Sequence, residues 1–326
     1  VADLAVLFEH PEWQKPLLAA LARRGVDAVA VDLKRAAFDP DVVDLLQGAR
    51  LVFNQASPSA YVRGHTRAVP FALSLMRTLE RHGVTVLNGA DAFAFELSKS
   101  AQAAALSVLG IAHPKSLAFN DVEAALSRWS TWPALLKPEQ GGSGARIFEL
   151  HGPDELRRLL DEQPGLWAPE NLLLLQERFD IDPAFGIVRM EFLGDELLYA
   201  MRVVSHGAFN LCPSPVCNPG DGSAGHCEIP VATAKAPTKP VEFFPYPEVP
   251  ASAVEAGRRI MQAGGLDVGG IEYLVAADGR HVFYDVNANS NLRPAIGQHF
   301  GFDPFERVVD FLLRRLASSS SRARAA

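Results

Sequence analysis

Cysteine is almost missing from this chain, with three among 326 residues. Three thiols cannot all pair, and a chain of this length buries a core without cross-links, so a disulfide scaffold is excluded and a reducing cytoplasm is expected. No run of about 20 apolar residues occurs, which excludes a membrane-spanning helix and leaves no membrane partner to expect. An excess of positive charge is missing too, and the formal net charge of −7 argues against a nucleic-acid partner. Neither G-x-x-x-x-G-K-S/T nor a G-x-G-x-x-G that opens a helix is found, so no P-loop and no dinucleotide-binding turn is expected. There is no internal repeat. No Ser-His-Asp or Cys-His arrangement can be made out, so no side chain is put forward as a nucleophile. His10, His82, His113 and His151 read as ordinary surface or packing residues.

What is present is ordinary for a globular protein, 48% hydrophobic and 21% charged. Residues 1–10 contain Asp3 and Glu9 and read as a first strand, not as a signal sequence. Short apolar runs then alternate with helical patterns: strands near 4–8, 28–31, 51–53 and 84–87, and helices over 14–24 and 68–81. Strand, helix, strand, helix implies parallel pairing through right-handed crossovers, so residues 1–92 form a small open α/β domain. Further helices are expected over 98–109, 153–162, 251–263 and 304–316, paired strands over 172–202 with a turn at Gly194-Asp195, and a hairpin over 271–287. Residues 205–250 hold nine of the 23 prolines and all three cysteines. So long a stretch without periodicity is a functional loop or is disordered. The Ser- and Arg-rich tail, 318–326, reads as disordered.

Two stretches carry chemistry. In LLKPEQGGSGARIFEL, 135–150, Lys137 ends an apolar run and Gly141, Gly142 and Gly144 follow it. Clustered glycines bring bare backbone N–H groups close to an anion, and lysine adds a point charge for a phosphate. A flexible linker would look the same. In GIEYLVAADGRHVFYDVNANSN, 270–291, Asp278-Gly279 is a strong hairpin turn signal. A turn at those two residues sets Glu272 directly across from Asp285, where like charges destabilise, with Asn287 on the same face. Either the face is solvated, or it holds a hard divalent cation, since such oxygen ligands suit Mg²⁺ with phosphates completing its shell. A three-residue loop would shift the pairing by one and put the carboxylates on opposite faces.

On these residues the chain resembles the ATP-grasp superfamily, in particular its carboxylate–amine ligases of the ribosomal-protein glutamate ligase type. Glutathione synthetase and D-alanine–D-alanine ligase are more distant. The resemblance runs from about Leu51 to Asn291, and in outline over the whole chain. It implies an α/β (α+β) ATP-grasp fold: the 1–92 domain, a lid subdomain over 93–180 with the glycine loop, and a subdomain over 181–317 with the metal hairpin and the 205–250 insert. Lys99, in ELSKSAQAAALSVLGI, matches the first phosphate-binding lysine. Lys137 matches the second, with Gly141, Gly142, Ser143 and Gly144 as the loop over the phosphates. LLLLQERF matches the adenine-lining stretch and assigns Gln176, Glu177, Arg178 and Phe179 to the base. Arg189 and Arg202 match the family's strand arginines, and Asn210 a residue facing the acyl phosphate. Gly270-Ile271-Glu272 and Asp285-Val286-Asn287 match its metal hairpin, so Glu272, Asp285 and Asn287 are the expected ligands of Mg²⁺, with Mn²⁺ as an alternative.

The implied reaction is ATP-dependent and ADP-forming, joining a small-molecule or peptide carboxylate to an amine through an acyl phosphate. Rival readings are a kinase-like or thiol-ligating enzyme of the same fold, and a degenerate ATP-binding regulatory module. Relatives often form dimers or tetramers, so a homo-oligomer is the corresponding expectation. The chain departs from the family at Ile187, where an acidic residue usually bonds the ribose; either Asp180 or Asp182 substitutes, or the ribose contact is lost. Cys212, Cys217, His226 and Cys227 have spacings that fit no familiar zinc pattern, and a substrate-covering loop suits the insert better. Arg63 and His65, after the third strand, and Arg293, past the hairpin, are candidates for a substrate carboxylate.

Overall fold

The computed structural model describes residues 2–42, 44–142, 144–206, 241–290 and 292–323. Among these no helix is long and apolar enough to cross a membrane. Ser143, Asn210, the three cysteines and His226 lie outside the described residues, so the readings placed on them end here.

The first sheet holds β1 (Leu4–Phe8), β2 (Ala28–Asp32), β3 (Leu51–Gln55) and β4 (Thr85–Leu87), all parallel, in the order β2-β1-β3-β4. β1 and β3 are buried at every position, as expected of central parallel strands covered on both faces. Helices α1 (Pro11–Arg23) and α2 (Ala68–Arg81) are the crossovers. A turn of 3₁₀ helix, Pro58–Arg63, follows β3. Next come α3 (Ala90–Leu97) and α4 (Lys99–Val108), and Ser98 between them caps α4 by accepting the N–H of Ala101 at 3.0 Å.

The second sheet is antiparallel: β5 (Ser116–Phe119), β6 (Ala134–Pro138), β7 (Phe148–Leu150) and β8 (Leu173–Glu177), ordered β5-β8-β6-β7. Helices α5 (Val122–Leu126) and α6 (Pro153–Glu162) pack around its own core, built on Trp129, Leu136, Leu156 and Leu175. The third sheet takes β9 (Ile187–Leu193), β10 (Glu196–Val204), β11 (Glu242–Pro245), β12 (Val268–Val275) and β13 (His281–Asn287) in the order β11-β10-β9-β12-β13. Helices α7 (Ala251–Ala263), α8 (Pro294–His299) and α9 (Pro304–Ala323) complete the chain. β9 and β10 turn at Gly194-Asp195 as expected, whereas β8 belongs to the second sheet. The described part of the proline-rich stretch holds an edge strand, β11, with Pro245 at its end, where a missing N–H costs no central ladder bond. α9 runs on to Ala323, into the stretch expected to be disordered; Ser318 Oγ bonds back to the carbonyl of Arg314 at 2.9 Å.

First and third sheets share one apolar core, in which Leu4, Val6 and Phe53 meet Tyr199, Val268 and Val309. A polar pin fixes their relative position. Asn88, 0% exposed and at φ 50°, follows β4. Its side-chain oxygen accepts the N–H groups of Asp267 (2.8 Å) and Val268 (3.1 Å), and its amide donates to the carbonyls of Val268 (2.8 Å) and Ala288 (2.5 Å). One side chain thus serves the start of β12 and the exit of β13. Asn88→Ala should lose about 3 kcal/mol of unfolding free energy, because it leaves several buried backbone groups unpaired. Denaturant melts of the two proteins would measure it, and a loss under about 1 kcal/mol would show that the pin is dispensable.

Candidate functional site

The three sheets enclose one cavity of about 490 Å³. Its floor is the β12–β13 hairpin. The tip of that hairpin is a three-residue loop, Ala277 to Gly279, which pairs Val275 with His281. By itself this loop would have put Glu272 and Asp285 on opposite faces. A β-bulge corrects the register: Tyr273 pairs with Phe283 and Glu272 with Asp285, leaving Tyr284 as the extra residue. The bulge also turns Tyr284 to the cavity, where its hydroxyl donates to Glu272 Oε2 at 2.9 Å. The turn signal at Asp278-Gly279 therefore led to the right pairing by way of a different loop.

Across β9, β12 and β13 the same face carries two rows. In one, Arg189, Glu272 and Asp285 stand side by side; in the next, Glu191, Gly270 and Asn287 do. Arg189 donates to Glu272 at 2.8 Å and to Glu191 at 2.6 Å. Its guanidinium lies over Gly270, where a Cβ would sit 2.3 Å from Nη2, so any larger residue there would displace the Arg189 side chain from its two carboxylates. Asn287 donates to Asp285 Oδ2 at 3.1 Å. Burial and the facing Asp285 push the Glu272 carboxyl up, Arg189 only partly opposing them. Asp285 is buried as well, yet Lys99 holds it below the usual carboxylate range.

Lys99 forms an ion pair with Asp285 and also reaches Gln102 at 3.2 Å. Lys137, at the end of β6, donates to Gln176, and its ammonium lies 5.6 Å over the Tyr284 ring. Burial, with the charge of Lys99, pushes Lys137 down to about 8. Glu139 locks the two lysine-bearing elements together. Its carboxylate accepts the Ser100 N–H (3.1 Å) and hydroxyl (2.6 Å) and the Ser98 hydroxyl, at the positive end of α4, and its carbonyl accepts the N–H of Lys99 at 3.2 Å. The glycine loop lies over Lys99 and against the first sheet. A Cβ on Gly141 would come within 2.4 Å of Lys99 Cε, and one on Gly142 within 2.7 Å of the Ser59 Cα. Gln140 donates to the Pro58 carbonyl at 2.7 Å.

Gln176, Glu177, Arg178 and Phe179 line the wall formed by the second sheet. Glu177 accepts the N–H of Lys115 at 3.1 Å, and Arg178 pairs with Glu149 and Asp180. Asp180 lines the cavity, whereas Asp182 closes a local turn by accepting the N–H of Ala184 at 2.8 Å. Arg293 lines the opposite wall, with its guanidinium 3.2 Å over the Phe243 ring.

Arg202 is not brought to the cavity. Side chains alternate along β10, and its neighbours Met201 and Val203 take the inward positions. Arg202 instead lies between the rings of Phe185 and Phe244, at 5.2 and 5.3 Å. Arg63 and His65 turn elsewhere too. Arg63 pairs with Glu9 at 2.6 Å, both side chains 1% exposed, and His65 bonds the same carboxylate. Sequence reasoning missed Tyr284, Glu139, Asn289 and Glu96. Asn289 was findable, two residues beyond Asn287 on the same alternation. Tyr284 was not, since alternation without the bulge points it away.

Among the described residues no three His, Cys, Asp or Glu side chains gather as a metal site. Two facing carboxylates and an amide oxygen still suit Mg²⁺, which keeps open positions for phosphate oxygens, and the Lys99 ammonium on Asp285 already stands in for a cation there.

No protein-family model matches the chain. One curated relative, the tetrahydromethanopterin:α-L-glutamate ligase of Methanosarcina acetivorans, is 33% identical over 118 residues. That match spans 35% of this chain and about a third (36%) of the relative. Solved structures match over nearly the full length. The ATP-grasp ligase PsnB, complexed with a phosphomimetic variant of its minimal precursor, Mg and ADP, has a TM-score of 0.65 at 19% identity, covering 97% of this chain and 100% of its own. D-alanine–D-alanine ligase from Bacillus anthracis, complexed with ATP, has a TM-score of 0.66 at 13% identity, covering 98% and 99%. The chain therefore has the ATP-grasp fold.

The depressed Lys137 has a measurable sign. Between pH about 8 and about 10.5 the unfolded chain holds a proton that the folded chain has shed, so this group favours folding increasingly as pH rises. Relative to the wild type, Lys137→Met should thus gain stability as pH falls through that window and level off below 8. Paired urea melts across the range test this; a difference that does not vary with pH would mean that Lys137 titrates as an exposed lysine.

Proposed function

We propose, from its ATP-grasp fold and the charges gathered beneath the glycine loop, that this chain is an ADP-forming ligase that joins a carboxylate to an amine through an acyl phosphate. One observation carries the reading: Lys99, Lys137 and Arg189 converge on the facing carboxylates Glu272 and Asp285 inside a single cavity. A solvated sheet face would have no use for three partly buried cations.

In this reading Gln176 to Phe179 border the adenine, and Asp180 is the acid placed for the ribose, its carboxylate already oriented by Arg178. Lys99 and Lys137 neutralise phosphate oxygens, and the loop from Gly141 to Gly144 excludes water from the acyl phosphate. Glu272, Asp285 and Asn287 would hold Mg²⁺, or Mn²⁺ with the same oxygen ligands. When bound, the metal supplies neutralisation of the charge that builds on the transferring phosphoryl group. A substrate carboxylate oxygen bonds to the γ-phosphorus as the bond to ADP breaks. The amine nitrogen then bonds to the acyl carbon, and phosphate leaves with its electron pair. Arg189 fixes the Glu272 carboxylate in place, and Arg293 faces the substrate from the far wall. Arg202 has no part in this chemistry.

The acid and amine come from amino acids, small acids or peptides. The curated relative is by name a glutamate ligase, and PsnB was complexed with a precursor peptide.

With Mg·ATP and pooled amino acids and small carboxylates, the products should be ADP, phosphate and an amide. AMP in place of ADP would overturn the acyl-phosphate route, and ADP with a phosphorylated hydroxyl would mark a kinase instead. Glu272→Ala and Asp285→Ala should each lower turnover by at least about a hundredfold while the fold persists by circular dichroism. Turnover near wild type in either variant would remove the metal hairpin from the mechanism.

A further inference from the structure

Six acidic side chains line the cavity: Glu96, Glu149, Glu177, Asp180, Glu272 and Asp285. Five have no carboxylate oxygen that is both buried and without a hydrogen bond among the described residues. Glu149 and Asp180 pair with Arg178, and Glu177 accepts the N–H of Lys115 at 3.1 Å. Glu272 is held by Arg189 and Tyr284, and Asp285 by Lys99 and Asn287. Glu96 differs. It sits in the last turn of α3, 3% exposed, and its Oε1 accepts the N–H of Asn289 at 3.1 Å. Its Oε2 is buried and meets no donor among the described residues. A carboxylate oxygen in that position costs free energy until something donates to it.

The place of Glu96 says what that donor is. Asn289 donates to the carbonyls of Gln55 (2.8 Å) and Ala56 (3.2 Å), at the carboxyl end of β3. Glu96 thus belongs to the wall built by the parallel sheet and the hairpin exit, where Ser57, Ser59 and Arg293 also face the cavity. It does not belong to the wall bearing Gln176 to Phe179. Open parallel sheets take ligands at their carboxyl ends. The one described cation on that wall, Arg293, suits an anionic group, and Glu96 is its one described acid.

We propose that Glu96 receives the acceptor substrate's amine, accepting its N–H and taking the proton that the nitrogen sheds as it attacks. The N–C bond forms, the C–O bond to phosphate breaks, phosphate leaves with that electron pair, and the proton passes to Oε2. This inference rests on the ligase reading. Burial, with Asp285 and against the Asn289 and Ala288 N–H groups and Lys99, pushes the Glu96 carboxyl up to about 8. An α-ammonium group has an ordinary pKa of about 7.7–8.0, so the two groups exchange a proton at little cost.

Hydroxylamine separates the two halves of the reaction, because it attacks an acyl phosphate without a docking site and gives a hydroxamate. Wild type and Glu96→Gln would be compared with Mg·ATP and a pool of L-amino acids, N-acylated amino acids and small acids, with hydroxylamine and without. Glutamine keeps the shape and the bond from Asn289. The expected result is hydroxamate within about twofold of wild type and amide formation lower by about a hundredfold. Equal losses in both products, or amide formation left intact, would overturn the proposal. If the wild type makes neither product, the ligase reading fails and the proposal falls with it. The rise in melting temperature on adding Mg·ATP should be the same in both proteins, which reports a folded nucleotide site. Should Glu96→Gln not fold, Glu96→Asp withdraws the oxygen by one methylene, and the same split between hydroxamate and amide is expected.

Discussion

The constraint on which this structure turns is the direct opposition of Glu272 and Asp285 across a buried pair of strands. Two carboxylates at that separation repel, and burial removes the water that would screen them. Everything around them answers that cost. Arg189 stands beside Glu272 in the neighbouring strand, Lys99 arrives from α4 to meet Asp285, and Tyr284 donates from the bulge. Lys137 is close enough that the same acids partly offset the lowering of its pKa by burial and by Lys99. Formally, Glu191, Glu272 and Asp285 face Arg189, Lys99 and Lys137, three charges against three. A hairpin with this sequence would not be stable alone; it is stable where three other elements deliver cations to it.

Delivery depends on elements that come from all three sheets. α4 carries Lys99 but is oriented by Ser98 and Ser100, which bond the Glu139 carboxylate at the end of β6. That strand end also carries Lys137, so the two lysines cannot move independently. The hairpin is fixed to the first sheet through Asn88 and Asn289, whose amides hold backbone groups on either side of the cavity. Polar side chains, more than apolar contact, therefore set the register between sheets. This is the economical choice where the cavity itself interrupts the core, because a hydrogen-bonded amide fixes direction and an apolar contact does not.

Much of this was legible in the sequence, and the failures are instructive. Helices over 68–81, 153–162 and 251–263 were read to the residue, because an amphipathic period is bounded there by a proline entry (Pro153, Pro250), a glycine exit (Gly83, Gly264) or both. Glu272 and Asp285 were placed opposite each other, although the loop between them has three residues and not two. Strand alternation and turn chemistry are local rules, and a bulge is decided by what the whole sheet must bury. For that reason Tyr284 could not be read off the alternation. Arg202 shows the converse: a motif match put it in the site, while alternation along β10, had it been given more weight, would have turned it away. Glu96 and Glu139 carry no local signal, since an acid within a helix or just past the end of a strand is ordinary in any sequence. Their meaning comes from contacts 39 and 193 residues away.

The balance of three charges against three also says how the site can accept a polyanion. Lys99 neutralises Asp285 in the structure, so its charge is committed, and a phosphate entering alone would add uncompensated negative charge to a buried floor. If a divalent cation enters with the phosphate, Asp285 gains a new partner and Lys99 is released toward the phosphate oxygens at no net cost in pairing. The glycine loop already touches Lys99 at Gly141, so the release of that side chain and the seating of the loop involve the same few atoms. In the proposed reading, selection of a metal-bound nucleotide would follow from electrostatics, without a metal site complete in the protein alone. Two carboxylates and one amide bind a naked divalent ion weakly, and they complete the shell of one that brings its own phosphate oxygens. An extra carboxylate on this floor would bind the metal better and the nucleotide worse. With Glu96 off the floor, on the wall proposed to meet a cationic amine, that balance is preserved, and the proposed reaction would keep one acid for its second half.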